Sequence, residues 1–212
     1  SIRWNDRNMD KQQLLDQVAQ DIIKTNGGPF GPGLNAVPGE GNPDAETLWV
    51  GEAPGATENQ LGRPFVGVSG KLLRKTMEEN GFKPEEIFIT NIVKFRPPDN
   101  RDPLPAEIEF FKPFLDKQIE IINPKIIVTV GRFSMYKFFG EGISIGKIHG
   151  QPRKIGNYFI FPMFHPAAAL RAGDMMKMFV EDFKKLREFV DSLNNPKPAE
   201  PKVTPVKQME LI

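Results

Sequence analysis

The sequence predicts an α/β fold, a three-layer α/β/α sandwich with a mostly parallel four-stranded central sheet. Three observations carry that reading. Short apolar runs rich in β-branched and aromatic residues recur at Leu48-Trp49-Val50, Ile87-Phe88-Ile89, Ile126 to Val130 and Tyr158 to Met163. Strands apolar on both faces belong to sheets covered on both sides. Helical periodicity fills most of the intervals between them, as crossovers between parallel neighbours require. Each run also gives way to a polar or glycine-rich loop, the place where open α/β sheets hold their ligands.

The elements follow in order. From Met9 or Asp10, Leu14, Val18, Ile22 and Ile23 recur at helical spacing until Asn26-Gly27-Gly28-Pro29 stops the pattern. Phe30 to Asp44 is rich in proline and glycine and reads as a loop wrapping the domain. Thr47 to Val50 is the first strand, and Gly51-Glu52-Ala53-Pro54-Gly55 breaks it. Ser69 is placed to cap a helix from Gly70 to about Asn80, with Leu72, Leu73 and Met77 on one face and Gly81 closing it. The second strand ends in Thr90-Asn91, and prolines keep the following Lys94-Phe95-Arg96-Pro97-Pro98 out of a helix. Pro105 suits the first turn of a helix to about Ile122, which Pro113 should kink. Ile126 to Val130 is the clearest strand, followed by Gly131 and a short helix through Phe139. Ile155-Gly156-Asn157 is a turn between two strands, the second reaching Met163. A last helix from about Met175 to Leu193 buries Met176, Phe179, Phe183, Leu186 and Val190.

Composition excludes several chemistries. With 39% hydrophobic and 26% charged residues the chain reads as a soluble globular domain, without a membrane-length apolar run or a leader pattern, and it is expected in the cytoplasm as a monomer. A net charge of +1 gives no bulk attraction for nucleic acid, so a local basic face has to supply it. There is no cysteine and only two histidines, His149 and His165. Disulfides, thiolate nucleophiles and the usual zinc sites are therefore ruled out as readings, and no metal is expected. His149 stands among unremarkable neighbours and reads as structural. Gly67 to Lys71 invites comparison with a phosphate-binding loop, but Phe65 and Leu72 occupy positions that motif reserves for Gly and Ser/Thr.

The strand-end loops, expected together at one edge of the sheet, carry the blocks GEAPGATE, GRPFVG, TNIVK, RPPDNRDP, TVGR and HPAAAL. In this order they resemble the family 4 uracil-DNA glycosylases over roughly residues 10 to 190. The resemblance implies hydrolysis of the N-glycosidic bond of deoxyuridine in DNA, with uracil-containing DNA as partner. Such chemistry needs a flipped base held in a slot. Phe65 can stack on uracil, Asn91 can read its O4 and N3–H edge, which cytosine presents with reversed polarity, and His165 can donate to charge developing on O2. The resemblance adds Glu52 and Glu58 to the catalytic set. It adds Gly51, Ala53, Pro54, Gly55 and Ser69 to the uracil-binding loops, and Pro166 with Leu170, an apolar wedge for the vacated stack, to the DNA contacts. Arg63, Arg132 and Arg171, with Lys94 and Arg96, are candidates for the basic face. Ala53 stands where some other uracil glycosylases hold a water-activating aspartate, which implies a dissociative reaction.

The sequence departs from that family in one respect. Family 4 enzymes usually carry a 4Fe–4S cluster on four cysteines. Phe95 and Phe111 stand at the middle pair and the other pair falls near Thr25 and Gly28, so no cofactor is expected and both rings should pack inward, with Phe30, as an apolar plug. A second reading is a non-catalytic module that binds uracil or damaged DNA. Covalent capture of the abasic sugar would need a histidine between Phe95 and Pro105, where there is none.

Two segments are expected: a glycosylase-like domain over 1–193 and a proline-rich tail over 194–212. The tail ends in Gln208-Met209-Glu210-Leu211-Ile212, which resembles the short peptide by which repair and replication proteins dock on a sliding clamp.

Overall fold

The computed structural model describes residues 9–195. The last helix reaches Asn194, one residue beyond the expected domain boundary, and the rest of the expected tail from 196 on, with Gln208, Met209, Leu211 and Ile212, lies outside the described residues. The elements are α1 (Lys11–Lys24), β1 (Glu40–Gly41), β2 (Thr47–Gly51), α2 (Ala56–Leu61), α3 (Val68–Glu79), β3 (Ile87–Asn91), α4 (Pro105–Ile122), β4 (Ile126–Val130), α5 (Arg132–Phe139), α6 (Ile145–Ile148), β5 (Arg153–Ile155), β6 (Tyr158–Met163), α7 (Pro166–Ala169) and α8 (Gly173–Asn194).

The sheet runs in the order β1-β3-β2-β4-β6-β5. Its four central strands are parallel, as expected, with Thr47 beside Ile87 and Ile126, and Ile126 beside Phe159. Two short antiparallel strands extend it to six, β1 against β3 and β5 against β6. The sequence gives β1 away poorly, because two residues inside a glycine-rich loop carry no periodicity.

Alternation along β2 builds both layers. Leu48 and Val50 join α1, α4, Phe88, Ile127 and Ile160 in one core. Trp49 points the other way, to α3, α8, Ile89, Val128 and Phe161. Trp49 stacks on Phe183 at 5.5 Å and meets Phe82 edge-on at 5.5 Å. Every residue of β2, β3 and β4 is buried, which explains their unbroken apolar runs.

Helix ends follow local chemistry. The Asp10 carboxylate accepts the Gln13 N–H at 2.8 Å while the Gln13 side chain accepts the Asp10 N–H at 3.0 Å, a reciprocal cap for α1. Its buried stripe is Leu15, Val18 and Ile22, and Ile23 faces outward, 50% exposed. α3 begins at Val68, capped by Gly67; Ser69 lies in its first turn and caps nothing. α4 continues through Pro113 to Ile122. α2 was not anticipated, although Glu58 placed three residues after Gly55 is a helix-start signal.

Phe111 is fully buried, with Phe30 stacked on it at 6.0 Å, Phe95 at 5.8 Å and Phe114 at 6.3 Å. The expected inward plug is present. Carbon rings fill this space and offer no thiolate, so the residues here do not fit an iron–sulfur cluster. No helix among the described residues is long and apolar enough to cross a membrane.

Candidate active site

A cleft of about 570 Å³ opens at the carboxyl edge of the parallel strands. The loops after β2, β3, β4 and β6 supply Glu52 to Gly55, Pro97 with Asn100 and Arg101, Gly131 with Arg132, and Phe164 with His165. Asn91 enters from the last position of β3, Phe65 from the segment leading into α3 and Ser69 from the first turn of that helix. The strand-end loops thus converge on one site.

Asn91 is buried, and its Oδ1 has no hydrogen-bond partner among the described residues. An unpaired buried acceptor is costly unless a ligand supplies the donor. Gly51 lies directly behind it. A Cβ there would come within 2.3 Å of the Phe65 ring and 2.5 Å of Asn91 Oδ1, so Gly51 is what lets ring and amide share the space.

Phe65 holds its ring 6.3 Å from that of His165 while its backbone sits at φ 53°. A bulky residue in the left-handed region costs about 1–3 kcal/mol, and such strain gathers at ligand sites. Glu58 accounts for the adjacent turns. One carboxylate oxygen accepts the N–H groups of Val66 at 2.9 Å and Gly67 at 2.7 Å, and the other accepts that of Gly55 at 3.1 Å. It lines the cleft, but its lone pairs are turned to the two loops it joins.

His165 begins α7, and its Nδ1 accepts the Ala167 N–H at 3.2 Å. That bond assigns the proton of the neutral ring to Nε2, leaving a donor for the cleft. Burial lowers its pKa from 6.5 to about 4, helped by Arg171 and opposed by Glu58, so the ring is neutral at physiological pH. Glu52 moves the other way. Burial raises its pKa from 4.5 to about 7, with Asp102 adding to the rise and Arg132 opposing it. Asp102 and Arg132 are themselves paired at 2.5 Å.

Of the remaining expected residues, Ala53, Pro54, Gly55, Ser69, Arg132 and Arg171 line the cleft. Pro166 is buried in the first turn of α7 and Leu170, 48% exposed, ends that helix beside the cleft residues Ala167 and Ala168. Arg63 lies away from the cleft, forked onto Glu40 through two bonds of 2.8 Å. Lys94 is not part of any basic face. It is fully buried and donates to Thr90 Oγ1, the Asn91 carbonyl and Gln118 Oε1 at 2.6–2.7 Å. Arg101, within RPPDNRDP, is a cleft residue beyond the expected set. It is held to Glu107 by two bonds of 2.5 and 2.9 Å and lines the cleft with Asn100. The signal was available, because a proline-rich loop after a buried strand belongs to the ligand edge. His149 pairs with buried Asp182 at 2.8 Å, away from the cleft.

The uracil DNA glycosylase superfamily model matches residues 38–191. Among curated proteins, the chain is similar to type-4 uracil-DNA glycosylases from several organisms. It is 52% identical to that of Sulfurisphaera tokodaii over 163 residues, covering 73% of this chain and 74% of the relative. Identity is 47% with that of Saccharolobus solfataricus, covering 74% and 77%. For the Thermotoga maritima protein it is 38%, covering 85% of this chain and 96% of the relative. With its four strand-end loops gathered inside the matched span, the chain belongs to the uracil DNA glycosylase superfamily and groups there with the type-4 enzymes.

Proposed function

We propose that this chain hydrolyses the N-glycosidic bond between uracil and deoxyribose in DNA, releasing uracil and leaving an abasic site. The observation that carries the reading is the unpaired, buried Asn91 Oδ1, in one cleft with Phe65 and His165. Uracil meets that acceptor with its N3–H, whereas cytosine brings another acceptor and would leave both unpaired. Phe65 supplies the flat face for the flipped base.

The C1′–N1 bond breaks with its electron pair passing to uracil, whose negative charge spreads to O2. His165 Nε2–H donates to that oxygen, and being neutral it costs no proton at physiological pH. The oxocarbenium left on the sugar takes a water, whose released proton passes through solvent to the departing uracil anion. With Ala53 at the position of an activating aspartate, Glu52 orients that water and offsets the sugar's charge as a carboxylate. Glu58 acts by holding the Gly55 and Val66–Gly67 turns in register. Arg101, Arg132 and Arg171 meet the phosphates and Leu170 fills the gap left in the stack.

A uracil-containing oligonucleotide, treated with the protein and then alkali, should break at the uracil. His165→Ala should slow excision by roughly 10²–10³-fold. Binding of uracil-DNA without breakage would instead favour a recognition module, and full activity of His165→Ala would refute the assignment of the donor.

The finer proposals are action as a monomer in the cytoplasm, with a catalytic domain over 1–193, and clamp docking through Gln208, Met209, Leu211 and Ile212 on the tail. The last is supported by the apolar end of a proline-rich segment.

A further inference from the structure

Phe65 is a bulky residue of the site held at positive φ, a conformation its side chain disfavours, and its restraint reaches well beyond the cleft. Arg74, on α3, donates from Nε to the Phe65 carbonyl at 2.8 Å and from one Nη to the Pro64 carbonyl at 2.6 Å. The same Nη donates to Glu40 Oε1 at 2.8 Å. Glu40 belongs to β1, the edge strand hydrogen-bonded to β3, and β3 ends in Asn91. One helical turn before Arg74, Gly70 presses on the backbone of Phe65. A Cβ at Gly70 would lie 2.2–2.5 Å from the Cα, carbonyl carbon and oxygen of Phe65. Arg74 does not line the cleft, and its side chain is 22% exposed.

We infer that Arg74, anchored by Glu40, is a positioning residue that sets the plane of the Phe65 ring against the base. The inference rests on the stacking role proposed for Phe65. A planar fork suits the task because one guanidinium spans two consecutive carbonyls and a carboxylate, which an ammonium on a flexible stem cannot reproduce. The anchor also ties both walls of the slot, Phe65 and Asn91, to one edge of the sheet. Stacking geometry then survives the approach of DNA without a rearrangement of the loop.

The test is a double-mutant cycle read by single-turnover excision of uracil from an oligonucleotide. Arg74→Met should lose roughly 10–100-fold in rate, and Arg74→Lys should recover only part of it. Affinity for an oligonucleotide carrying a tetrahydrofuran abasic site, which has no base to stack, should stay at the wild-type value. In a Phe65→Ala background the Arg74→Met change should cost nothing further. An equal loss in both backgrounds would overturn the inference, because Arg74 would then act by another route. Full rate in folded Arg74→Met would overturn it as well. If Arg74→Met fails to fold, Arg74→Lys and Glu40→Gln decide by the same cycle, and full rate in both would reject the device. Wild-type excision by Phe65→Ala alone would bring down the stacking role itself, a failure separable from that of the clamp.

Discussion

Two titrating residues of opposite habit line this cleft. Glu52 keeps its proton to about pH 7, chiefly through burial. Folding therefore favours its protonated form, and its contribution to stability is lost as pH rises from about 4.5 through 7. His165 gives up its proton until about pH 4, again chiefly through burial, so its contribution is lost as pH falls from about 6.5 toward 4. In the role proposed for Glu52 the carboxylate is the useful state, so excision should rise with a midpoint near pH 7. Asp102→Asn removes a neighbouring negative charge and frees Arg132 from its partner. The midpoint should move to lower pH in a pH–rate profile, and Glu52→Gln should abolish that limb. An unmoved midpoint in Asp102→Asn would mean that a different group controls it. None of this was legible in the sequence, where Asp102 is one acidic residue in a proline-rich loop.

Elements were easier to read than residues. β4 and α4 announce themselves by long apolar periodicity and are found where expected. α2 and β1 are too short for periodicity to build up, and each depends on a distant partner: α2 on Glu58 bridging to Val66 and Gly67, β1 on its pairing with β3. The aromatic plug between α1, α4 and the loop after β3 is an element-level feature that the sequence did foretell, because two phenylalanines at cluster positions have nowhere polar to go. Phe111→Ala should cost about 3–5 kcal/mol of unfolding free energy and Phe95→Ala a similar amount. Denaturant titration measures it, and a loss below about 1 kcal/mol in both would show that the stack carries little of the stability.

At the scale of the whole molecule, the sheet order makes a single active edge unavoidable, since four parallel strands end their runs on the same side. That much followed from sequence, and so did Glu52, Phe65, Asn91 and His165 as neighbours. Which arginines belong there did not follow, because charge alone does not reveal a partner. Arg63 turns to Glu40, Arg101 lines the cleft and Lys94 is sealed inside. The residues proposed to carry the reaction lie within the described residues, so a chain ending at Lys207 should excise uracil from a short oligonucleotide at the full rate. Its affinity for the sliding clamp, measured by calorimetry, should vanish, and equal clamp binding by both forms would dispose of the docking peptide. The stack of Phe30, Phe95 and Phe111 has a consequence for the cell as well. A metal centre in that place would make native folding conditional on delivery of iron and sulfide. Packed hydrocarbon asks for no such delivery, so the yield of folded protein should be the same from iron-starved cells as from replete ones.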